Sequence, residues 1–153
     1  MVLIICVDRD DDVGRKAGIE TPIVGREDIE NTATKLGIAD PEDSDLNALF
    51  AGMRLYDETV NDGEDCEIAV VTGSRDTHRN RDQAVAKQLD AVLEEVDAES
   101  AIVVTDGAED ESIMPVIESR LRIDGVERTI VKQAQNLENA YHVVKIGRAS
   151  CRE

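Results

Sequence analysis

The stretch Met1-Val2-Leu3-Ile4-Ile5-Cys6-Val7-Asp8-Arg9-Asp10-Asp11-Asp12-Val13-Gly14-Arg15-Lys16-Ala17-Gly18 decides the fold. Val2 to Val7 is an unbroken apolar run, and Asp8 to Asp12 then sets four acids around Arg9. A short apolar run bounded by turn residues predicts a strand covered on both faces, as in a parallel sheet. Ligands of such sheets bind beyond the carboxyl ends of the strands. The acids after Val7 are therefore delivered to the edge where function is expected.

The same design recurs further along. Cys66 to Val71 is a second apolar run that ends in Thr72-Gly73-Ser74, and Ala101 to Val104 is a third that ends in Thr105-Asp106-Gly107-Ala108-Glu109-Asp110-Glu111. Thr129 to Val131, after the turn signal Asp124-Gly125, is predicted as a fourth strand. Between the runs, apolar spacing predicts helices. Glu27 to Leu36 carries Ile29, Ala33 and Leu36 on one face and stops near Gly37. Asp40-Pro41-Glu42-Asp43 supplies the capping acid, early proline and first-turn acids of a helix start. The helix behind it carries the stripe Leu46, Leu49, Phe50, Met53, Tyr56 and Val60 and ends at Asn61-Asp62-Gly63. A further helix spans Asp82 to Val96, another Ile113 to Leu121 with Pro115 in its first turn, and a last one begins over Asn136 to Val144. Gly14 to Gly25 reads as an ordered loop and Arg75 to Arg81 as polar linker. Alternating strands and helices predict an α/β, Rossmann-like three-layer domain over residues 1–145, with a mainly parallel sheet of about four strands. In the order two-one-three-four, the acid-bearing ends of strands one and three face each other across the switch point.

Acidic residues outnumber basic ones 34 to 17 among 153 residues, a net charge of −17. That field repels nucleic acid and anionic lipid, and it resembles the composition of salt-loving archaea. Aromatics are confined to Phe50, Tyr56 and Tyr141, so the core must be aliphatic. Cys6, Cys66 and Cys151 form neither a disulfide framework nor a zinc spacing. The opening run is too quickly acidic for a signal peptide, and no run is long enough to span a bilayer, which predicts a cytoplasmic, soluble piece. Ile146-Gly147-Arg148-Ala149-Ser150-Cys151-Arg152-Glu153 departs from the rest: it is basic, breaks the helical period and resembles a translated sequencing adapter. The native reading is expected to end near Lys145.

The segments Cys6 to Gly18, Thr21-Pro22-Ile23-Val24-Gly25-Arg26-Glu27, Ala39 to Asp45, Thr105 to Glu111 and Gln133-Ala134-Gln135-Asn136-Leu137-Glu138 resemble an archaeal family known as domain of unknown function 373. The resemblance implies a soluble amino-terminal domain facing the cytosol, ahead of several transmembrane helices that lie outside this chain. It implies no chemistry.

Chemistry must be sought in the acids. Asp8, Asp10, Asp106 and Asp110 are the expected metal ligands, with Asp12 and Glu109 beside them, because so many like charges at one edge need a cation such as magnesium. Gly14, Arg15, Lys16, Arg26, Thr72 and Ser74 are the expected contacts for a phosphate-bearing small molecule. The alternative is that the acids cap helices and form a solvated acidic surface. Asp8-Arg9-Asp10, Thr72 and Asp106-x-x-x-Asp110 also follow an order similar to the haloacid-dehalogenase-like phosphotransferases, where carboxylates act as nucleophile, acid/base and magnesium ligands. In that comparison Arg9 fills the intervening position and Lys87 would have to hold phosphate. His78 and His142 have no partner at ligand spacing. The expected role is a cation- or ligand-binding regulatory domain. A magnesium-dependent phosphohydrolase and a purely structural interaction module are the alternatives.

Overall fold

The computed structural model describes residues 1–75, 77–107 and 110–129. Among the described residues, β1 (Val2–Asp8) takes the middle of a five-stranded sheet, as its apolar run requires. Its neighbours are β3 (Cys66–Thr72) and β4 (Ser100–Thr105), both parallel to it, in a register that sets Asp8 opposite Thr72 and Cys6 opposite Val104. β5 (Arg122–Arg128) extends the parallel sheet beyond β4, and the two-residue β2 (Ile23–Val24) closes the other edge antiparallel to β3. The order β2-β3-β1-β4-β5 contains the expected two-one-three-four arrangement, with the switch point between β1 and β4.

Helices cover both faces. α1 (Asp12–Ala17), α2 (Arg26–Ala39) and α3 (Ser44–Asn61) lie on one, and α4 (His78–Glu95) and α5 (Asp110–Glu118) on the other. Alternate residues of β1 divide between the layers: Leu3, Ile5 and Val7 pack with Val85, Leu89 and Val92 of α4, while Ile4 and Cys6 pack with Leu49 and Met53 of α3. Each such fully buried Leu or Ile contributes roughly 1.5–3 kcal/mol of transfer free energy.

Several sequence expectations need correction. The loop expected over Gly14 to Gly25 takes in the last four residues of α1 and all of β2. α1 has only six residues with Val13 alone buried, too little for a helical period to show. α2 runs on through Gly37 to Ala39, because Gly37 packs against Leu46 of α3. The buried line of α3 passes through Asp45, Ala48, Leu49, Gly52 and Met53, whereas Phe50 and Val60, expected inside, are 54% and 45% exposed. Small residues cause that rotation. A Cβ on Gly52 would lie 2.4 Å from Cys6 Sγ and 3.3 Å from Ile68 Cδ1, so the helix settles onto the sheet along its smallest side chains. α4 begins at His78, within the expected polar linker, because Thr77 caps it by accepting from the Asn80 amide at 3.2 Å. α5 begins at Asp110, which places Pro115 inside the helix and past its first turn. A fourth parallel strand lies at Arg122–Arg128 with Asp124-Gly125 inside it, while Ile130 and Val131 of the predicted Thr129 to Val131 strand lie outside the described residues. Ala101 faces Ile123 and Ile102 faces Gly125, so Asp124 is a bulge residue instead of a turn. The helix expected over Asn136 to Val144 and the tail Ile146 to Glu153 lie outside the described residues.

Candidate functional site

β1 ends at the switch point with Asp8 2% exposed. Its carboxylate accepts from the first turn of α1, Oδ1 from the Asp12 amide at 3.1 Å and Oδ2 from the Val13 amide at 2.8 Å. The chain reverses within three residues because Asp11 takes a left-handed conformation (φ 58°) and caps α1 by accepting from the Gly14 amide. This reversal carries the Asp12 side chain back over Asp8. α3 supplies the third carboxylate. Asp43 caps that helix, its Oδ1 accepting from the Asp45 amide at 2.8 Å, and the cap holds the first turn of α3 over the end of β1. One carboxylate oxygen from each of Asp8, Asp12 and Asp45 lies within 4.8 Å of the others.

Such a cluster cannot hold three bare charges. Burial raises the Asp8 carboxyl to about 6, against the pull of the Val13 amide, and burial together with the Asp8 charge pushes Asp45 much further up. Burial also acts upward on Asp12, but hydrogen bonds within the cluster and the Lys16 and Arg15 charges outweigh it and leave Asp12 low. At neutral pH, in the absence of a cation, Asp45 keeps a proton that it shares with its neighbours. The rim of the cluster is ion-paired. Lys16 Nζ lies 2.7 Å from Asp40 and 2.6 Å from Asp43, which ties α1 to the α2–α3 turn, and Arg15 pairs with Asp12. Ser44 Oγ donates to Asp106 Oδ2 at 3.3 Å, so the residue after β4 reaches the same rim.

Of the expected metal ligands, the fold brings Asp8 to this cluster and Asp106 to its rim. Asp10 turns aside to pair with Arg9 at 3.1 Å. Glu109 and the side chain of Asp110 fall outside the described residues. Among the expected phosphate contacts, Gly14 and Arg15 line an open hollow of about 680 Å³ beside α1, while Lys16 faces Asp40 and Asp43. Arg26 does not join them: β2 runs down β3, so α2 starts at the amino-terminal edge of the sheet, and Arg26 pairs with Asp57 there through two contacts of 3.0 Å. Thr72 is buried and held in place, its amide donating to Gln88 Oε1 at 2.8 Å and its hydroxyl lying 2.6 Å from that of Thr21. The Ser74 carbonyl accepts from Nε of Arg81, which is buried although it ends the stretch expected as polar linker. Lys87 sits exposed in the middle of α4.

The principal member missed by sequence reasoning is Asp45. It reads as one more first-turn acid, yet its helical phase matches Ala48, Leu49, Gly52 and Met53, and an acid in phase with a buried line is a signal of its own.

Fold and site together define a doubly wound α/β domain with a carboxylate cluster at its switch point. The chain belongs to a family described as domain of unknown function (DUF373), which matches residues 1–149. An uncharacterised protein of Archaeoglobus fulgidus is 48% identical over 143 residues, covering 94% of this chain and 42% of that protein. An uncharacterised protein of Methanocaldococcus jannaschii is 41% identical over 144 residues, covering 94% of this chain and 39% of that protein. The chain thus spans about two-fifths of the length of these archaeal relatives. No solved structure matches it. No helix among the described residues is long and apolar enough to cross a membrane.

Proposed function

We propose that this is a regulatory, ligand-binding domain whose site is organised by a divalent cation, magnesium in the first instance, held by Asp8, Asp12 and Asp45. One observation carries the reading: three carboxylates from β1, α1 and α3 converge at the switch point with oxygens inside 4.8 Å. Opposed oxygens around a magnesium or calcium ion lie about 4–5 Å apart, so the spacing suits either. A cation would displace the shared proton and offset the burial of the charges. Gly14 and Arg15 beside it would receive the phosphate of a bound small molecule, with Asp106 at the rim. Support for phosphotransfer is weaker, because the Thr72 hydroxyl is already engaged and Lys87 lies in mid-helix. We further propose that the domain serves a membrane-embedded remainder of a longer protein and faces the cytosol. The acidic surplus favours a high-salt archaeal source.

Calorimetry with magnesium and manganese chloride at molar potassium chloride tests the cation. Wild-type protein should bind at millimolar levels with proton release, and Asp8→Asn or Asp45→Asn should weaken binding about tenfold. Absence of binding by wild type, or equal binding by both variants, would leave the carboxylates as a proton-sharing cap and refute the reading.

A further inference from the structure

The second concavity of interest lies at the opposite side of β3, along the β2 edge of the sheet, where a groove of about 550 Å³ runs between α2 and α4. Its size falls within the range of small-molecule sites. Its floor is apolar, formed by Ile19, Pro22, Ile23 and Val24. Charges stand on its walls: Asp28 and Lys35 on α2, Glu95 on α4 and Glu20 before β2.

The topology orders those charges. α2 rises from the amino-terminal edge of the sheet, since the Gly25 amide bonds the Ile68 carbonyl, so Asp28 stands low in the groove and Lys35 two turns higher. Their Cα atoms are separated by about 10 Å along the axis. α4 descends from the carboxyl end of β3, so Glu95, its last residue, also stands low, across the groove from Asp28. Glu20 stands high, one residue from Thr21, whose hydroxyl meets that of Thr72 at the end of β3. The upper end therefore carries one charge of each sign, and the lower end carries two carboxylates with no cation. Lys35, Glu20, Asp28 and Glu95 make no ion pair among the described residues, although Arg26, Lys16 and Arg120 elsewhere each do.

From this arrangement we infer that the groove binds an aliphatic ammonium compound, with the protonated amine between Asp28 and Glu95 and the methylene chain on the Ile19, Pro22, Ile23 and Val24 floor. Charge complementarity selects a cation at the lower end, and the floor selects an apolar body over a hydrated metal ion. The groove shares no residue with the Asp8, Asp12 and Asp45 cluster, and only Ile19 and Glu20, at its upper end, also line the hollow beside α1.

Hexylammonium chloride is the probe, titrated at constant ionic strength and followed by ligand-observed NMR, with hexanoate and ammonium chloride as controls. Asp28 and Glu95 are exposed, so Asp28→Asn and Glu95→Gln should fold normally. Each should weaken hexylammonium binding about fivefold, the scale of one partly screened ion pair. Glu58→Gln, a charge removal on the outer side of α3, should leave binding unchanged, and neither hexanoate nor ammonium alone should bind. Failure of hexylammonium to bind would overturn the inference. So would equal binding by hexanoate or ammonium, or equal weakening in Glu58→Gln, which would mark a general counterion effect of the acidic surface.

Discussion

β1 and β3 lie side by side, end level with each other and finish in buried polar residues, yet the two ends resolve their polarity differently. At the end of β3, Thr72 is neutral and fully bonded: its amide donates to Gln88, its carbonyl and hydroxyl accept from Gln88, and Thr21 meets the hydroxyl. At the end of β1, Asp8 has its amide donors but also has Asp45 and Asp12 within reach, and charge is left over. Hydrogen bonding can satisfy a buried polar group completely, whereas a buried charge surplus needs a proton or a cation. The first arrangement is finished architecture. The second leaves a charge surplus that a proton offsets in part.

The contact between the two ends can be broken first. Gly73 donates to the Asp8 carbonyl at 2.9 Å, and a Cβ there would lie 2.3 Å from the Arg9 carbonyl oxygen and 2.5 Å from Arg81 Cγ. Backbone cannot yield as a flexible side chain can, so Gly73→Ala should cost about 3 kcal/mol in denaturant unfolding at fixed salt. It should also weaken any cation binding at Asp8.

The charge surplus gives the next effect. Asp8 and Asp45 have folded-state values above their unfolded ones, so the folded chain holds more protons and loses stability as pH rises from about 4 through 6 and beyond. Asp12, Asp40 and Asp57 are lowered, and their contribution, lost on acidification, is already complete by about pH 5. Without metal, stability should therefore fall between neutral and alkaline pH by up to about 1.4 kcal/mol per pH unit. Asp45→Asn should flatten that slope, and an unchanged slope in thermal melts would remove Asp45 as its source. The smallest effect is expected at the satisfied end. Thr72→Val should cost about 1 kcal/mol by stranding groups on Gln88 and Thr21, while the pH slope and cation binding stay as in wild type.

The same contrast explains what could be read from the residues. β1, β3 and β4 were legible because burial on both faces demands uninterrupted apolar runs, and the helices between them call for parallel strands joined by crossovers. β5 was not, because an edge strand tolerates Arg122, Asp124, Glu127 and Arg128, and its bulge at Asp124 imitates a turn. β2 is two residues long and has no period to detect. Asp8 was legible as the last residue of its strand. Its partner Asp45 is 37 positions away, and their meeting depends on the close approach that Ala48 and Gly52 allow to α3. Arg26 was misplaced for a related reason: nothing local reveals that β2 reverses and starts α2 at the far edge.

That close approach has a kinetic consequence. Cys6 is 1% exposed beneath α3, its Sγ lies 3.7 Å from the Ala48 carbonyl, and burial pushes the thiol up to about 12. The thiol is thus both shielded and protonated, and an alkylating reagent reaches it as thiolate only when α3 lifts from the sheet. The rate at which Cys6 is trapped counts those openings. α3 also carries Asp45, so the buried sulfur times the excursions in which the carboxylate cluster comes apart, from inside the layer and without a label.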